Sequence, residues 1–251
     1  PALAIDSQGY LHIAYYPHHH PMRIKKSLQP NDASAWSEAE QVGERVTYPT
    51  LVIDNEDTLY LTCRQSNRPE PWQANLYTKK AGGTWSDPRP ILSAEEKGYA
   101  HFMDALAWSP DKKYLHLVTR LHDGTPPRGH TVGYMRSADQ GVTWTRHDGT
   151  PIALPATAAT IEVIEQAREG AGAGLRAAGL SVLPDGRPVV LYSSQDVVPN
   201  DAWIAMPDGD GGWEKRSLRT ALPEGYSDWN LFTPGGITVS RNGDLFVALT
   251  L

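Results

Sequence analysis

Apolar and polar positions alternate along this chain in short runs separated by turn residues, and the same run occurs five times. The first copy reads Leu3-Ala4-Ile5-Asp6, a turn at Ser7-Gln8-Gly9, then Tyr10 to Tyr16. Asp and Gly favour a tight turn, and a stretch of period two rich in Tyr and Ile reads as a strand. Equivalent runs are Leu51 to Asp54 before Leu59 to Cys63, Leu106 to Ser109 before Tyr114 to Val118, Leu183 to Gly186 before Pro188 to Tyr192, and Val239 to Gly243 before Leu245 to Leu249. With Gly9, Asp57, Lys112, Gly186 and Gly243 as markers, the copies lie 48, 55, 74 and 57 residues apart. A four-stranded propeller blade takes about 40–50 residues, so the spacing predicts an all-β propeller of four-stranded antiparallel blades, with about five represented.

A second motif closes each unit: Ala35-Trp36-Ser37, Thr84-Trp85-Ser86, Thr143-Trp144-Thr145 and Gly212-Trp213-Glu214. These tryptophans are expected to pack between sheets. The fullest version, Ser137-Ala138-Asp139-Gln140-Gly141-Val142-Thr143-Trp144, resembles the Asp-box of sialidase-like propellers, which lies on the outer hairpin of a blade, away from the active face. Helix signals are almost absent. Only 158–173, with Ile161, Ile164 and Ala167 at near-helical spacing, predicts a partly helical segment, inside an interblade insertion at 155–178. Four blades and two strands do not close a ring, and the chain opens on Pro1 in mid-strand and stops at Leu251. The expectation is one propeller domain over 1–251, incomplete at both ends and cut from a ring of about seven blades.

Composition narrows the chemistry. Charged residues make up 21% of the 251 and the net charge is -6, so no basic field calls for nucleic acid. An anionic ligand therefore needs a local basic pocket. The single Cys63 excludes an internal disulfide and leaves the redox compartment open. No apolar run approaches the roughly 18 residues that span a bilayer, so no membrane partner is expected. The first residue is Pro1 rather than Met, which places any leader upstream.

Register turns the repeats into a candidate site. Aligning Asp6, Asp54, Ser109 and Leu183, with one extra residue in the third copy, sets Tyr16 over Arg64, Arg120 and Ser193. The residues that follow then share one rim: His18, His19 and His20, then Arg64, then Arg120 and His122, then Gln195. Tyr48 and His101 lead into the innermost strands and reach the same face. Polar groups converging from successive blades mark the default ligand site. Arg64 can grip a carboxylate with its fork, and a histidine can exchange a proton near neutral pH. Tyr48 serves as a base where neighbouring positive charge lowers its pKa. Each has a plainer reading: Tyr48 as a strand cap before Pro49, Arg64 and Arg120 as interblade ion pairs. Three consecutive histidines cannot all face one way, so at least one is structural or solvated.

The segments HHHPMRIKKSL (18–28), VTYPTLVID (46–54), LTCRQ (61–65) and RGHTVGYMRSADQGVTW (128–144) resemble the BNR-repeat carbohydrate-active proteins that include ulvan lyases and a related rhamnosidase group. The resemblance runs to about Pro155 and thins afterwards. It implies a polysaccharide lyase that cleaves a uronate-containing glycan by β-elimination, secreted or periplasmic in a bacterium, acting as a monomer on a polysaccharide or oligosaccharide. Tyr48 and a histidine would serve as acid and base, with Arg64 and a second histidine, His19 or His20, neutralising the uronate carboxylate. The family's first catalytic histidine would precede Pro1. His18, His101, Arg120, His122, His130 and Gln195 are the substrate-binding candidates. No cofactor is required, although the resemblance allows a structural zinc, for which Cys63, His101, Asp104 and His130 offer suitable ligand types, or a calcium ion. No CxxC or HxxxH spacing supports that metal. A glycoside hydrolase of rhamnosidase or sialidase type and a non-catalytic glycan-binding propeller stay open as alternatives. A sialidase needs an arginine triad with a Tyr-Glu pair, and Arg64 and Arg120 do not complete one.

Overall fold

A computed structural model describes residues 1–15, 18–66, 70–123, 129–167, 174–233 and 236–251, so Tyr16 lies outside the described residues. The first blade contains β1 (Ala2–Ile5), β2 (Leu11–Tyr15) and β3 (His20–Gln29), with the short β4 (Asp32–Trp36) paired to β3. Next comes β5 (Glu40–Ile53), which belongs to two blades. Its first half pairs with β3, its second half with β6 (Leu59–Gln65), and the register shifts between Thr47 and Thr50. The second blade continues through β7 (Gln73–Lys79) and β8 (Arg89–Ser93). The third holds β9 (His101–Trp108), β10 (Leu115–Asp123) and β11 (Gly129–Ser137), a side hairpin of β12 (Trp144–Thr145) and β13 (Pro151–Ile152), and β14 (Glu162–Gln166). The fourth is β15 (Leu175–Val182), β16 (Pro188–Ser194), β17 (Asp201–Pro207) and β18 (Trp213–Ser217). A last hairpin, β19 (Ile237–Val239) with β20 (Leu245–Val247), opens the fifth unit. All these pairings are antiparallel, as expected for the blades of a β-propeller.

The five repeats are five inner hairpins with one turn geometry. Gly9, Asp57, Lys112, Gly186 and Gly243 all take positive φ, between 57° and 90°. The residue that opens each turn donates its N–H to the carbonyl that closes it: Asp6 to Tyr10, Asp54 to Thr58, Ser109 to Tyr114, Leu183 to Arg187 and Ser240 to Asp244. The third copy spans one residue more, as the alignment required. Asp6 and Asp54 also accept from the turn N–H groups through their carboxylates, which is why Asp recurs there.

Period two sends alternate side chains to opposite neighbours. In β6, Leu59, Leu61 and Cys63 join the core shared with the first blade, and Tyr60 joins the core shared with the third. In β16, Val190 and Tyr192 face back and Val189 and Leu191 face forward. Strands buried on both faces read as continuous apolar runs, and these do. By the same parity Arg64 and Arg120 each face the blade that follows.

Two expectations change. The stretch 158–167 forms turns and β14, which pairs with β11, and no helix. Ile161 and Ile164 feed two different interblade cores, and this long repeat also contains the β12–β13 hairpin. Residues 168–173 lie outside the described set. Of the four motif tryptophans, only Trp144 is fully buried. Its Nε1 donates to the Gly141 carbonyl at 3.2 Å, while Asp139 accepts from the N–H and hydroxyl of Thr143. Trp85 and Trp213 are partly exposed yet pack on interblade cores as expected and donate to Glu40 and Glu162, and Trp36 is partly exposed and joins no core cluster among the described residues.

Removing a fully buried indole leaves a cavity that the surrounding sheets cannot close. Trp144→Ala is expected to lower stability by about 3–5 kcal/mol, and Trp36→Ala by clearly less. Urea unfolding midpoints of the two variants test this; equal losses would contradict it.

Candidate active site

At Tyr48 β5 leaves one blade for the next, and its backbone takes the left-handed region, φ 58°, which is uncommon for a residue with a Cβ. That bend turns the phenol ring toward the rim. Its centroid lies 4.4 Å from the His101 ring and 5.7 Å from the His18 ring, and the Arg64 guanidinium carbon lies 4.8 Å from it. Arg64 sits on β6 opposite Thr47, and His101 on β9 opposite His122. Side chains from three blades therefore meet at one opening. Beside it is a cavity of about 570 Å³ lined by Tyr48, Thr50, His101, Asp104, Arg120 and Arg176, among others.

Arg64 is the most constrained member. It is 1% exposed and enclosed by Tyr48, Trp72 at 4.9 Å and Tyr99 at 5.6 Å. One terminal nitrogen donates to the Ala100 carbonyl at 3.2 Å, the other to Thr47 Oγ1 at 3.5 Å, and Nε has no acceptor. Arg120, also buried, donates from Nη2 to His101 Nδ1 at 2.9 Å, and its Nε likewise lacks an acceptor. Among the described residues neither forms an ion pair with a carboxylate. A buried cation without a counter-ion is costly and is stabilised when an anion arrives. By contrast, a smaller cavity of about 270 Å³ is lined by Asp6, His12, Lys26 and Asp57, where Asp6 already pairs with Lys26 and His12, and Asp57 with Ser7.

The imidazoles respond to those cations. Burial, then Arg120 and Arg64, push His101 down to about 3, so it is neutral and offers Nδ1 as the acceptor that Arg120 requires. His19, bent at φ 65°, contacts Ser66 Oγ through Nδ1. The Ser66 hydroxyl spends its one hydrogen on the Arg45 carbonyl, so His19 carries its proton on Nδ1 and keeps a lone pair on Nε2. Burial and the nearby His18 and Arg64 charges lower its pKa below the usual value. His18 stacks edge-on against His19 at 4.3 Å and is exposed. His20 is exposed at the start of β3, paired with Val46, and makes no ring contact among the described residues.

A model described as "BNR repeat-containing family member" matches residues 1–221. The chain belongs to this family. No curated protein matches it. Among solved structures it is similar to a polysaccharide lyase of a new family, an ulvan lyase, at 14% identity and TM-score 0.70, covering 91% of this chain and 59% of that one. It is also similar to an α-L-arabinanase of Penicillium chrysogenum (14%, TM-score 0.63, 98% of this chain and 73% of that one) and to a Hadza microbial sialidase (15%, TM-score 0.57, 86% and 45%). The BNR-repeat chain thus spans about three-fifths of the ulvan lyase it matches. No helix among its described residues is long and apolar enough to cross a membrane.

The remaining sequence candidates fall into two groups. His122 and His130 are buried and stacked at 4.5 Å on the blade-three side of the rim, and Gln195 follows β16 on the same face, held by its N–H to the Gly174 carbonyl at 2.6 Å. The zinc set does not assemble: among the described residues no three His, Cys, Asp or Glu side chains form a group fit for a metal ion. Cys63 is buried in the core between the first two blades, His101 spends Nδ1 on Arg120, and His130 stacks on His122. Sequence reasoning missed Trp72, Tyr99 and Arg176.

His101 and Asp104 give the site opposite pH signatures. Between pH 6.5 and 3 the unfolded chain protonates at position 101 and the folded chain does not, so stability falls as pH drops through that window. Burial raises Asp104 to about 6, so its contribution is present at low pH and lost as pH rises through 6. His101→Gln should therefore flatten the loss of stability on acidification from pH 6.5 to 4.5, and Asp104→Asn should steepen it. Urea midpoints measured across that range check the pair; unchanged profiles would refute it.

Proposed function

We propose that this BNR-repeat protein is a carbohydrate-active enzyme that cleaves a uronate-containing glycan by β-elimination. The observation that carries the reading is Arg64: a guanidinium 1% exposed, with no carboxylate partner among the described residues, beside an aromatic and imidazole cluster at the rim. Elimination removes the proton next to a uronate carboxylate, and negative charge spreads onto that carboxylate as the proton leaves. A fixed cation in a low-dielectric pocket stabilises this charge more in the transition state than in the ground state. Arg64 supplies it, with Arg120 and Arg176 reinforcing the field. His19, neutral with a free Nε2, takes the proton. Tyr48 gives its phenolic proton to the departing glycosidic oxygen. This assigns the acid role to Tyr48 and the base role to His19, and leaves His18, His101, His122, His130 and Gln195 to contact the sugars.

Similarity supports the substrate class. The ulvan lyase is also known bound to a -[GlcA(1-4)Rha3S]- repeat, and this chain matches that complex at TM-score 0.69. Hydrolysis is disfavoured by the carboxylate count, since a glycoside hydrolase flanks the scissile bond with two and, among the described residues, Asp104 is the one carboxylate lining the cavity.

Incubation of the protein with ulvan should raise ultraviolet absorbance as an unsaturated uronate forms. Arg64→Ala should lower kcat/KM by about 10²–10³-fold, and Tyr48→Phe should lower kcat with little change in KM. Saturated products would point to a hydrolase, and unaltered glycan to a binding propeller; either ends the lyase assignment.

A further inference from the structure

The guanidinium that should grip the substrate is covered in the free protein. Of the three rings around Arg64, Trp72 is 7% exposed and Tyr48 is fixed on β5, whereas Tyr99 is 46% exposed and stands on the segment entering β9. Glu96 to Tyr99 are all exposed, and Gly98 takes φ 107° with open space where a Cβ would be. Tyr99 touches Trp72 at 5.3 Å and His122 at 6.1 Å, so one ring bridges Arg64 to the histidines of the third blade. Its neighbour Ala100 lends Arg64 the carbonyl at 3.2 Å. That carbonyl takes up a donor that a carboxylate oxygen would bind more strongly, because charge-assisted bonds are about twice as strong as neutral ones. Two further buried donors of the cage, Arg64 Nε and Trp72 Nε1, have no acceptor among the described residues. Orphaned buried donors are rare in folded proteins and call for an unseen partner.

We propose that Tyr99 is a substrate-positioning residue: it caps Arg64 in the free protein and, when a uronate carboxylate replaces the Ala100 carbonyl on Arg64, swings about Gly98 to stack on the sugar ring. The aromatic face suits the apolar face of a pyranose, and the exchange of acceptors couples anion capture to ring placement. The proposal rests on reading Arg64 as the carboxylate partner and adds a recognition residue that base and acid chemistry do not require.

The test is calorimetric binding of a tetrasaccharide prepared from ulvan, beside its carboxyl-reduced form. Tyr99→Ala should weaken binding of the acidic sugar about tenfold or more, and Tyr99→Phe should restore it, since the ring and not the hydroxyl acts. In turnover, Tyr99→Ala should raise KM with kcat nearly unchanged. Hydrogen exchange across 95–100 should change on adding the acidic tetrasaccharide and stay constant with the reduced one. Equal affinity of Tyr99→Ala and the parent protein, no binding by the parent, or an exchange response to both sugars overturns the proposal. A protein that binds through Tyr99 yet forms no unsaturated product overturns the lyase reading and leaves this one standing.

Discussion

A strand that serves two blades has to turn between them, and in this chain that turn is Tyr48. β5 runs 14 residues from Glu40 to Ile53, closing the first blade with its beginning and opening the second with its end. The handover shifts register between Thr47 and Thr50 and leaves Tyr48 at φ 58°. A left-handed conformation costs a residue with a side chain about 1–2 kcal/mol, and such strain persists only where the surroundings fix it. Pairing on both sides fixes it: Val46 and Thr47 with Gln65 and Arg64, Thr50 to Ile53 with Thr62 to Leu59. The same residues that force the bend thus deliver Arg64 beneath the ring they bend.

Placement is one half of the site; unbalanced charge is the other. Glu162 shows a buried charge that is matched: it receives Trp213 Nε1 and the backbone N–H of His147 and also pairs with the His147 ring. At the rim the matching stops. Arg64 is wrapped in rings, and among the described residues the two arginines are offered a carbonyl, a hydroxyl and an imidazole. Cation–π contacts return about 0.5–2 kcal/mol each, which offsets part of the desolvation cost and leaves the charge available.

Much of this was legible in the chain. Period two and the Asp and Gly turns gave the inner hairpins, because a turn that needs positive φ writes itself into residue choice; the one-residue excess at Ser109 was visible for the same reason. Arg64, Arg120 and His101 followed once register was set, since parity along a strand fixes which neighbour a side chain meets. What escaped lay between strands or broke the pattern. Tyr99 and Trp72 belong to connections, where no repeat dictates orientation. Glu162 hid β14: a buried acid among Ile161 and Ile164 leaves the apolar residues three apart, which reads as a helix until His147 and Trp213 are known to satisfy the carboxylate. Trp85 and Trp213 reach the interblade cores only at their edge, Trp144 is enclosed by one, and Trp36 matched the motif without joining any.

The arginines and histidines divide their work through a single field. Burial first, and then the charge of Arg120 and Arg64, keeps His101 below its ordinary pKa; burial, then His18 and Arg64, does the same for His19, and neutrality is what lets one accept from Arg120 and the other keep a lone pair. An arriving carboxylate cancels part of that field. Under the proposed elimination, the penalty on a protonated imidazole would then fall just when a proton has to be received, so an anion bound at Arg64 would raise the basicity of His19. A cluster of positive charge with no counter-ion among the described residues is therefore coherent with that proposal: pairing Arg64 inside the protein would cancel the charge an anionic sugar is proposed to meet.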